Sequence, residues 1–362
     1  MQEKPVFIAL IHGTWARNSA WPDEGSQLRR GLQDELRRPV HFHVPKWSGR
    51  NWQADRDRAA REVVSKLRDV WKDVDKGDRF LVCHSHGGNI GIRAVAEMRE
   101  EVGGVICLNT PFISIMRRSL IWRLATLGFV LIGAPMMFLV SWLAERRGSV
   151  LQDLLYLGML VVVSSLLFAF FGVLARRAKS QAEEIFKTLE PVRIARCPVL
   201  CVASADDEPS YGLSLLEALA NLPAFLLHIL TLPILLVVAV IIQMLGWVPP
   251  VDVGGLSAGI WASSFIYLVM LFIGLQIVGL GSAVLLRAVP LGLGFGIRQL
   301  LANLAVRVAI TSVPLNARIV DFVDVDTGGQ SPWAHSRIYE DEAAIKLIAE
   351  WIKNGGQFAA HA

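Results

Sequence analysis

Charged residues are scarce in this sequence. Only 19% of its 362 residues are Asp, Glu, Lys or Arg, and 53% are hydrophobic, whereas a soluble protein usually has about 25% charged residues. The net charge is only +4, so the positions of the basic residues are more informative than their number. They form no stripe interleaved with aromatic residues, which argues against nucleic-acid binding. The first apolar run breaks at His12-Gly13 without a cleavage site, so we predict no signal peptide.

Cysteine is also rare, and its four copies follow no metal-binding spacing. They are Cys83, Cys107, Cys197 and Cys201. All lie in or beside apolar, strand-like runs, so we expect reduced cysteines that fill a core in a cytoplasm-facing compartment. Phosphate loops and dinucleotide fingerprints are missing as well, since "GLGFGIR" (292–298) has neither a preceding strand nor a partner acid. We therefore predict no metal and no cofactor.

Strand and helix patterns alternate in the parts of the chain that do carry charge. The strand-like runs "VFIALIHG" and "RFLVCHS" are each followed by a helix-like pattern, "SQLRRGLQDELRR" and "GGNIGIRAVAEMREE". Later, "CPVLCVAS" and "ARIVDFVDVDTGG" are strand-like, and "DEAAIKLIAEWIKNG" is typical of a terminal helix. This alternation predicts the α/β class, with a doubly wound, mostly parallel sheet that has helices on both faces.

Two long runs, 124–144 and 154–175, contain no charged residue at all. In a third apolar region, 218–286, Asp252 is the only acidic or basic residue apart from His228. The turn "GWVPPVDVGG" divides that region into spans of roughly 222–247 and 256–286. Each of the four spans is long enough to cross a hydrocarbon layer of about 30 Å as a helix. The sequence therefore predicts two inserted transmembrane hairpins.

These insertions divide a single α/β body into pieces. The predicted body comprises 1–117, 178–214 and 313–362, the first hairpin 118–177, and the second hairpin 215–290. The apolar segment 291–312 has spaced arginines, and it fits either a membrane-interface position or a helix packed on the sheet.

Basic residues at the ends of the spans predict the orientation. One side of the four spans has seven of them: Arg117, Arg118, Arg123, Arg176, Arg177, Lys179 and Arg287. The opposite side has only Arg146 and Arg147. Because basic loops stay in the cytoplasm, we expect the body to lie on the cytoplasmic side of a multi-pass membrane protein.

Ser85 lies at the junction of a strand-like run and a helix-like pattern, in "RFLVCHSHGGNIGIR". A strand, a tight turn and a helix make a nucleophile elbow, whose usual pattern is G-x-S-x-G. Here Cys83 replaces the first glycine, while Gly87 and Gly88 supply the later small residues. The pattern predicts that Ser85 is a nucleophile. We expect backbone N–H groups of Thr14 or Trp15, together with that of His86, to stabilise an oxyanion.

The chain order of an α/β sheet indicates where a base and an acid would lie. His335 lies in a polar loop just before the last helix, which is the expected place for a general base. The loop after "CPVLCVAS" contains Asp206 and Asp207, and spacing from the strand favours Asp207 as the acid that orients the imidazole, with Asp206 as the alternative. Asp324 and Asp326 are further alternatives.

The motifs "HGTWA" (12–16), "WSGRN" (47–51), "HSHGGN" (84–89), "TPF" (110–112) and "WAHSRIY" (333–339) resemble those of a bacterial lipase- and esterase-like group in the α/β-hydrolase superfamily. The resemblance covers 1–115 and parts of 180–210 and 316–355, but none of the four spans. It implies that five residues border the site: His12, Gly13, Trp47, Ser48 and Asn51. For a bacterial protein, the membrane would be the inner membrane.

Both insertions leave the body at the carboxyl ends of strands, where Ser85 and His335 are also expected. We therefore expect the catalytic face to look at the bilayer and to act on a membrane lipid or a lipid-attached ester. The leading hypothesis is a membrane-integral serine esterase or lipase with a Ser85–His335–Asp207 triad. One alternative is an acyl-protein thioesterase, and another is a non-catalytic membrane scaffold on a hydrolase fold. The sequence does not indicate an oligomeric state.

Overall fold

The computed structural model describes most of the α/β body and parts of the insertions. The described residues are 4–75, 78–98, 102–117, 150–188, 194, 197–204, 212–219, 221, 251–253, 256–258, 278–279, 281–294, 301–303, 305–314, 317, 320–326, 335 and 337–358. Within 150–188 the description covers the backbone throughout, but not the side chains of 150–157, 159–160, 163–164, 167–168, 171 and 188.

Strands and helices alternate along the body as the sequence predicts. In chain order the elements are β1 (Val6–Ile11), α1 (Gln27–Leu36), β2 (Val40–His43), α2 (Gln53–Trp71), β3 (Arg79–His84), α3 (Gly87–Glu97), β4 (Gly104–Leu108), β5 (Phe112–Arg117), α4 (Val150–Thr188), β6 (Val199–Ser204), β7 (Val251–Val253), β8 (Leu256–Ala258), β9 (Val306–Thr311), β10 (Val320–Val325) and α5 (Glu342–Lys353).

A six-stranded sheet with the order β10-β6-β4-β3-β1-β2 forms the centre of the body, and all of its strand pairs are parallel. This confirms the α/β class and the mostly parallel sheet. The chain winds outward from β1 to β2 in one direction and from β3 to β4 in the other. The order therefore reverses between β1 and β3, and the carboxyl ends of the strands at such a reversal are where ligands bind in sheets of this kind.

Buried side chains on both faces of the sheet explain why its strands read as continuous apolar runs. Alternate residues of β1 belong to two different clusters. Ala9 and Ile11 pack with α2 and α3 on one face, whereas Ile8 and Leu10 pack with α1 and α5 on the other. The four cysteines are buried and form no disulfide, as predicted.

The sequence did not predict a second, two-stranded sheet at the carboxyl edge of the first. Here β5 pairs antiparallel with β9, from Phe112 opposite Thr311 to Arg117 opposite Val306. The segment 291–312 is thus not one continuous helix or interfacial stretch, because its C-terminal third is a paired strand. Side chains of α4, such as Ile185, pack against this pair, and Leu291 and Leu293 pack further along the same face. We call β5 and β9 the cap sheet.

Helix α4 is 39 residues long and contains the whole predicted span 154–175. Its described side chains include exposed apolar residues at helical spacing: Val161, Val162, Leu166, Phe170 and Val173. Within the described part of the chain, however, no helix meets both the length and the apolar character that a membrane crossing requires. The spans 124–144 and 222–247 lie outside the described residues, and 256–286 begins in strand β8.

Candidate active site

Ser85 lies in a strained turn between β3 and α3. Its φ is +54°, in the left-handed region that a residue with a Cβ adopts at a cost of about 1–2 kcal/mol. The turn is fixed by backbone hydrogen bonds, because Ser85 N–H donates to the Leu108 carbonyl (2.9 Å) and Gly88 N–H donates to the Ser85 carbonyl (2.9 Å). A strained serine held in front of a helix N-terminus is the geometry that the nucleophile elbow requires.

Small residues make this turn possible. A Cβ on Gly87 would overlap the carbonyl oxygen of Ile11, and one on Gly88 would overlap the side chain of Thr110. Gly91 of α3 makes room for the unexpected Cys83, because a Cβ on Gly91 would collide with the Cys83 sulfur. The glycine missing from the strand is therefore replaced by a glycine on the facing helix.

We expect Gly87→Ala to destabilise the protein by about 2 kcal/mol, because the added methyl group meets rigid backbone of β1 instead of a flexible side chain. Thermal unfolding of the purified protein measures this loss. Gly25→Ala is the matched control, since nothing lies within 4 Å of its added Cβ. Equal unfolding midpoints for the two variants would contradict the close approach of α3 to β1.

The loop after β1 lies directly beside the Ser85 side chain. A Cβ on Gly13 would be 2.7 Å from Ser85 Cβ and 3.2 Å from Ser85 Oγ, so only glycine leaves room here. Trp15 has a φ of +57°, and its N–H donates to the Gly49 carbonyl at 2.9 Å. Of the two predicted loop donors, the N–H of Trp15 is therefore already engaged, whereas no described residue accepts from the N–H of Thr14.

His12 and Trp47 support this loop from behind. The Trp47 indole N–H donates to the His12 carbonyl at 2.8 Å, and the two rings stack with centroids 5.4 Å apart. His12 Nδ1–H donates to the Gly13 carbonyl at 2.9 Å. Burial lowers the pKa of His12, so its imidazole stays neutral at pH 7. Both residues thus hold Gly13 in place. The hydroxyl of Ser48 accepts a hydrogen bond from Arg50 N–H, within the turn that contains both residues.

Asn51 connects the body to the end of the second insertion. Its side-chain amide donates to the Pro290 carbonyl at 2.9 Å, and its Oδ1 accepts from Arg56 at 2.9 Å. Arg56 is buried and also donates to the Leu291 carbonyl at 3.4 Å. Gln53 N–H adds a bond to the Gly292 carbonyl at 3.0 Å. The segment "GLGFGIR" therefore begins as an anchored stretch of chain, and Arg56, which sequence reasoning missed, is its main anchor.

His335 lies at the same edge of the sheet as Ser85. Its ring packs against that of His84, the residue before Ser85, with centroids 4.7 Å apart. His84 Nε2–H donates to the backbone carbonyl of His335 at 3.0 Å. His84 also contacts Tyr339 edge to face at 5.2 Å. The structure thus brings His335 next to the elbow, although Ser85 Oγ has no hydrogen-bond partner among the described residues.

Asn109, which the sequence did not single out, joins three loops of the site. It follows β4 with a φ of +43°. Its side-chain N–H donates to the His335 carbonyl at 3.2 Å, and its Oδ1 accepts from Ser204 N–H at 2.8 Å. Its own backbone N–H donates to the Val202 carbonyl at 2.9 Å. One buried amide therefore fixes the loop of the predicted base and the start of the loop that contains Asp206 and Asp207.

The predicted acids Asp207 and Asp206 lie outside the described residues, two to three positions beyond the end of β6. Asp324 lies in β10 and Asp326 directly follows it, and both side chains are exposed. The parallel pairing of β10 with β6 places Asp324 and Asp326 at the edge of the sheet where β6 ends. Among the described residues, no cluster of His, Cys, Asp or Glu could hold a metal ion.

His86 begins α3, and its environment keeps its imidazole neutral. Burial lowers its pKa to about 3, and the neighbouring Arg56 and His335 act in the same direction. An imidazole with so low a pKa is a weak base, so His86 competes poorly with His335, the predicted base. Its backbone N–H, directly after Ser85, is left to stabilise an oxyanion. Asn89, one turn further, donates to the Pro111 carbonyl at 2.9 Å and ties α3 to the cap sheet.

We expect the free energy of unfolding to fall by about 2 kcal/mol between pH 7 and pH 5 through His86 alone. The unfolded chain protonates this imidazole near its usual pKa of 6.5, whereas the folded protein does so only near 3, so lowering the pH favours unfolding. Denaturant unfolding at both pH values measures the effect. His86→Asn should lose most of this pH dependence, and an unchanged dependence would contradict the assignment.

Comparison with known proteins is consistent with this architecture. A sequence model described as the alpha/beta hydrolase family matches residues 8–239. No curated protein matches the chain.

Among solved structures, the chain is similar to an extracellular alpha/beta-hydrolase from a Paenibacillus species (21% identity, 30% of this chain, TM-score 0.23), of which it spans only 42%. It is also similar to a protein assigned as a lipase from Acinetobacter baumannii AYE (13% identity, 56% of this chain and 68% of that one, TM-score 0.25). A third similar structure is a mutant of a protein assigned as an epoxide hydrolase from Pseudomonas aeruginosa (11% identity, 78% of this chain and 92% of that one, TM-score 0.27). These three alignments are too loose to bear on the substrate.

Proposed function

The chain belongs to the alpha/beta hydrolase family, and from this we propose that it is a membrane-integral serine hydrolase that cleaves acyl esters. The observation that carries the proposal is the conformation of Ser85. A residue with a Cβ is held at a φ of +54°, in front of the N-terminus of α3 and directly beside Gly13 of the loop after β1. Strain of this kind persists where the surrounding structure enforces it for a purpose.

In the proposed reaction, Ser85 Oγ attacks the acyl carbonyl carbon while His335 takes the hydroxyl proton. The carbonyl oxygen becomes negative, and the N–H groups of Thr14 and His86 stabilise it. His335 then gives its proton to the leaving alcohol, which departs from the acyl-enzyme. Water, deprotonated by the same imidazole, hydrolyses the acyl-enzyme and regenerates Ser85. Asp207, or Asp206 in its place, orients His335 and stabilises its protonated form.

Thr14 is a better partner of His86 than Trp15 in this scheme. The N–H of Trp15 would have to leave the Gly49 carbonyl before it could bind an oxyanion. The hydrogen bond instead fixes the loop, so that the preceding N–H is held beside Ser85. Donors fixed before the reaction need no reorganisation when the charge develops.

Three observations support the membrane part of the proposal. The uncharged runs are of membrane-spanning length. Helix α4, which contains one of them, has exposed apolar side chains at Leu166 and Phe170 among those described. Both insertions also leave from the carboxyl edge where Ser85 lies, since β5 follows β4 and the second insertion follows β6. An acyl chain in the bilayer would then reach the serine without crossing bulk water, with the body on the cytoplasmic side of the inner membrane.

A fluorophosphonate probe tests the hydrolase. We expect it to label the detergent-solubilised protein at Ser85, as mapped by mass spectrometry of the modified peptide. Labelling at another residue would contradict the assignment, and a folded protein that is not labelled would favour a non-catalytic scaffold. Comparing fatty-acid release from glycerolipids and from acyl-cysteine peptides then separates a lipase from a thioesterase.

A further inference from the structure

Two exposed tryptophans lie beside the candidate active site, on the loops after β1 and β2. Trp15 is 82% exposed and Trp52 is 49% exposed, whereas Trp21, Trp47 and Trp71 are buried. The two loops are joined by the hydrogen bond between Trp15 N–H and the Gly49 carbonyl. An indole that is 82% exposed on a residue in the left-handed region costs free energy through its backbone and through its hydration. The bond to Gly49 holds the backbone, but the indole itself stays uncovered by the described residues, which favours a contact with something outside the chain.

Three exposed basic residues, Arg17, Lys46 and Arg50, lie on the same two loops. None of them forms an ion pair within the described part of the chain. Arg17 and Lys46 are close enough to His12 to lower its pKa, which places their charges near the loop beside Ser85. We call Trp15, Arg17, Lys46, Arg50 and Trp52 the rim. Indole rings next to unpaired cations are the residue types that concentrate at membrane–water interfaces.

The rim is physically tied to the end of the second insertion. The apolar run ends at residue 286, and Pro290 already accepts a hydrogen bond from Asn51. Four residues of chain span at most about 14 Å. The Trp52 ring also packs on the backbone of Gly294, where a Cβ would lie 3.0 Å from it. If the run enters the bilayer, residues 50–52 therefore lie close to the level of the headgroups.

The segment that makes this connection is itself apolar on its exposed side. Val278, Leu285 and Val289 are 68%, 62% and 63% exposed. An exposed apolar surface therefore runs from the predicted span to the rim, and the basic residues lie at its end. Apolar residues followed by aromatic and then basic residues match the order of hydrocarbon, interface and headgroup in a bilayer.

We infer that the rim binds the headgroups of anionic phospholipids and holds the mouth of the Ser85 site against the membrane surface. This inference rests on the proposed membrane function and names the lipid class that the body contacts. Each basic residue near an anionic surface contributes about fivefold in binding, so the three cations together favour anionic over neutral lipid by roughly 100-fold.

The test uses the full chain in lipid nanodiscs that contain a nitroxide attached to the lipid headgroup. Nitroxide at that depth should quench the tryptophan emission of the parent protein. The quenched fraction should drop in the Trp15→Phe, Trp52→Phe double variant, because two indoles at headgroup level are missing, whereas the tryptophans near the ends of the predicted spans (Trp122, Trp142, Trp247 and Trp261) remain in both proteins. Emission of the parent should also shift to shorter wavelength in nanodiscs compared with detergent.

Charge is tested with phosphatidylcholine nanodiscs with and without phosphatidylglycerol. Phosphatidylglycerol should increase the quenched fraction of the parent, and the triple variant Arg17→Glu, Lys46→Glu, Arg50→Glu should lose that increase. The matched control reverses three exposed cations on α1 and α5, Arg30, Lys346 and Lys353, and should behave like the parent.

Equal quenching of the parent and the double tryptophan variant would overturn the inference, and so would equal quenching in the two lipid mixtures. Either result would mean that the rim faces another partner, such as an acidic protein. Fluorophosphonate labelling of the triple charge variant and of its matched control in detergent keeps this test separate from the proposed function. Labelling should be unchanged in both of them, so a failure of the rim leaves the hydrolase assignment intact.

Discussion

Replacing Ser85 with alanine is expected to lower ester hydrolysis by roughly 10⁴- to 10⁶-fold, because no other group in the elbow can form the acyl-enzyme. The side chains of His86 and Cys83 are buried, at 6% and 0% exposed, and burial also raises the pKa of the Cys83 thiol. Neither neighbour can therefore substitute as a nucleophile. The rate of release of a chromogenic alcohol, with matched fluorophosphonate labelling, measures the loss.

Ser85→Gly separates the chemistry from the strain. It should be as inactive as Ser85→Ala, but it should raise the free energy of unfolding by about 1 kcal/mol, since glycine adopts a φ of +54° without a Cβ penalty. Alanine keeps the Cβ and should leave stability nearly unchanged. If the glycine variant were no more stable than the alanine variant, the elbow would not be strained. Residual hydrolysis in both variants above the level of a mock preparation would point to a different nucleophile.

Substitution of Asn109 is expected to lower kcat by roughly 100-fold, because a small displacement of the base is enough to cost that much. The side chain holds the His335 carbonyl and Ser204 N–H at once. Asn109→Asp keeps an oxygen that accepts from Ser204 N–H. It replaces the amide N–H with a second oxygen, which repels the His335 carbonyl oxygen. Asn109→Gly removes both bonds while still accommodating a φ of +43°.

Active-site titration distinguishes positioning from misfolding. We expect kcat per titrated site to fall for both Asn109 variants, with KM for a short water-soluble ester changing less than about twofold. A lower number of titratable sites with an unchanged kcat per site would mean that Asn109 only supports folding. His84→Phe offers a parallel case, since it keeps a ring against His335 but removes the hydrogen bond from Nε2.

Sequence patterns were sufficient to predict the body of the fold. Strands that are buried on both faces are continuous apolar runs, and the helices between them have apolar residues at helical spacing. The turn at Ser85 could be located for the same reason, because a strand, a turn and a helix follow one another within a few adjacent residues. Chain order alone predicted that His335 lies near this turn, while the catalytic roles of both residues stay predictions.

Features that depend on distant partners were not predictable. β5 and β9 are nearly 200 residues apart along the chain, so no local pattern indicates that they pair. Asn109 follows a buried strand and reads as an ordinary turn residue, and its two partners come from loops about 95 and 226 positions further along the chain. In the sequence, Arg56 is one of several charged residues on an amphipathic helix, although its side chain is buried in the structure.

The strand order of the central sheet has a consequence for synthesis. β4 pairs with β3 on one side and with β6 on the other, but the first insertion separates β4 from β6 along the chain. For the time that a ribosome needs to add about 90 residues, roughly 5–20 s, the nascent body therefore presents an open, apolar β4 edge. Such edges template pairing with other chains, so aggregation during synthesis is expected to be greatest before β6 emerges.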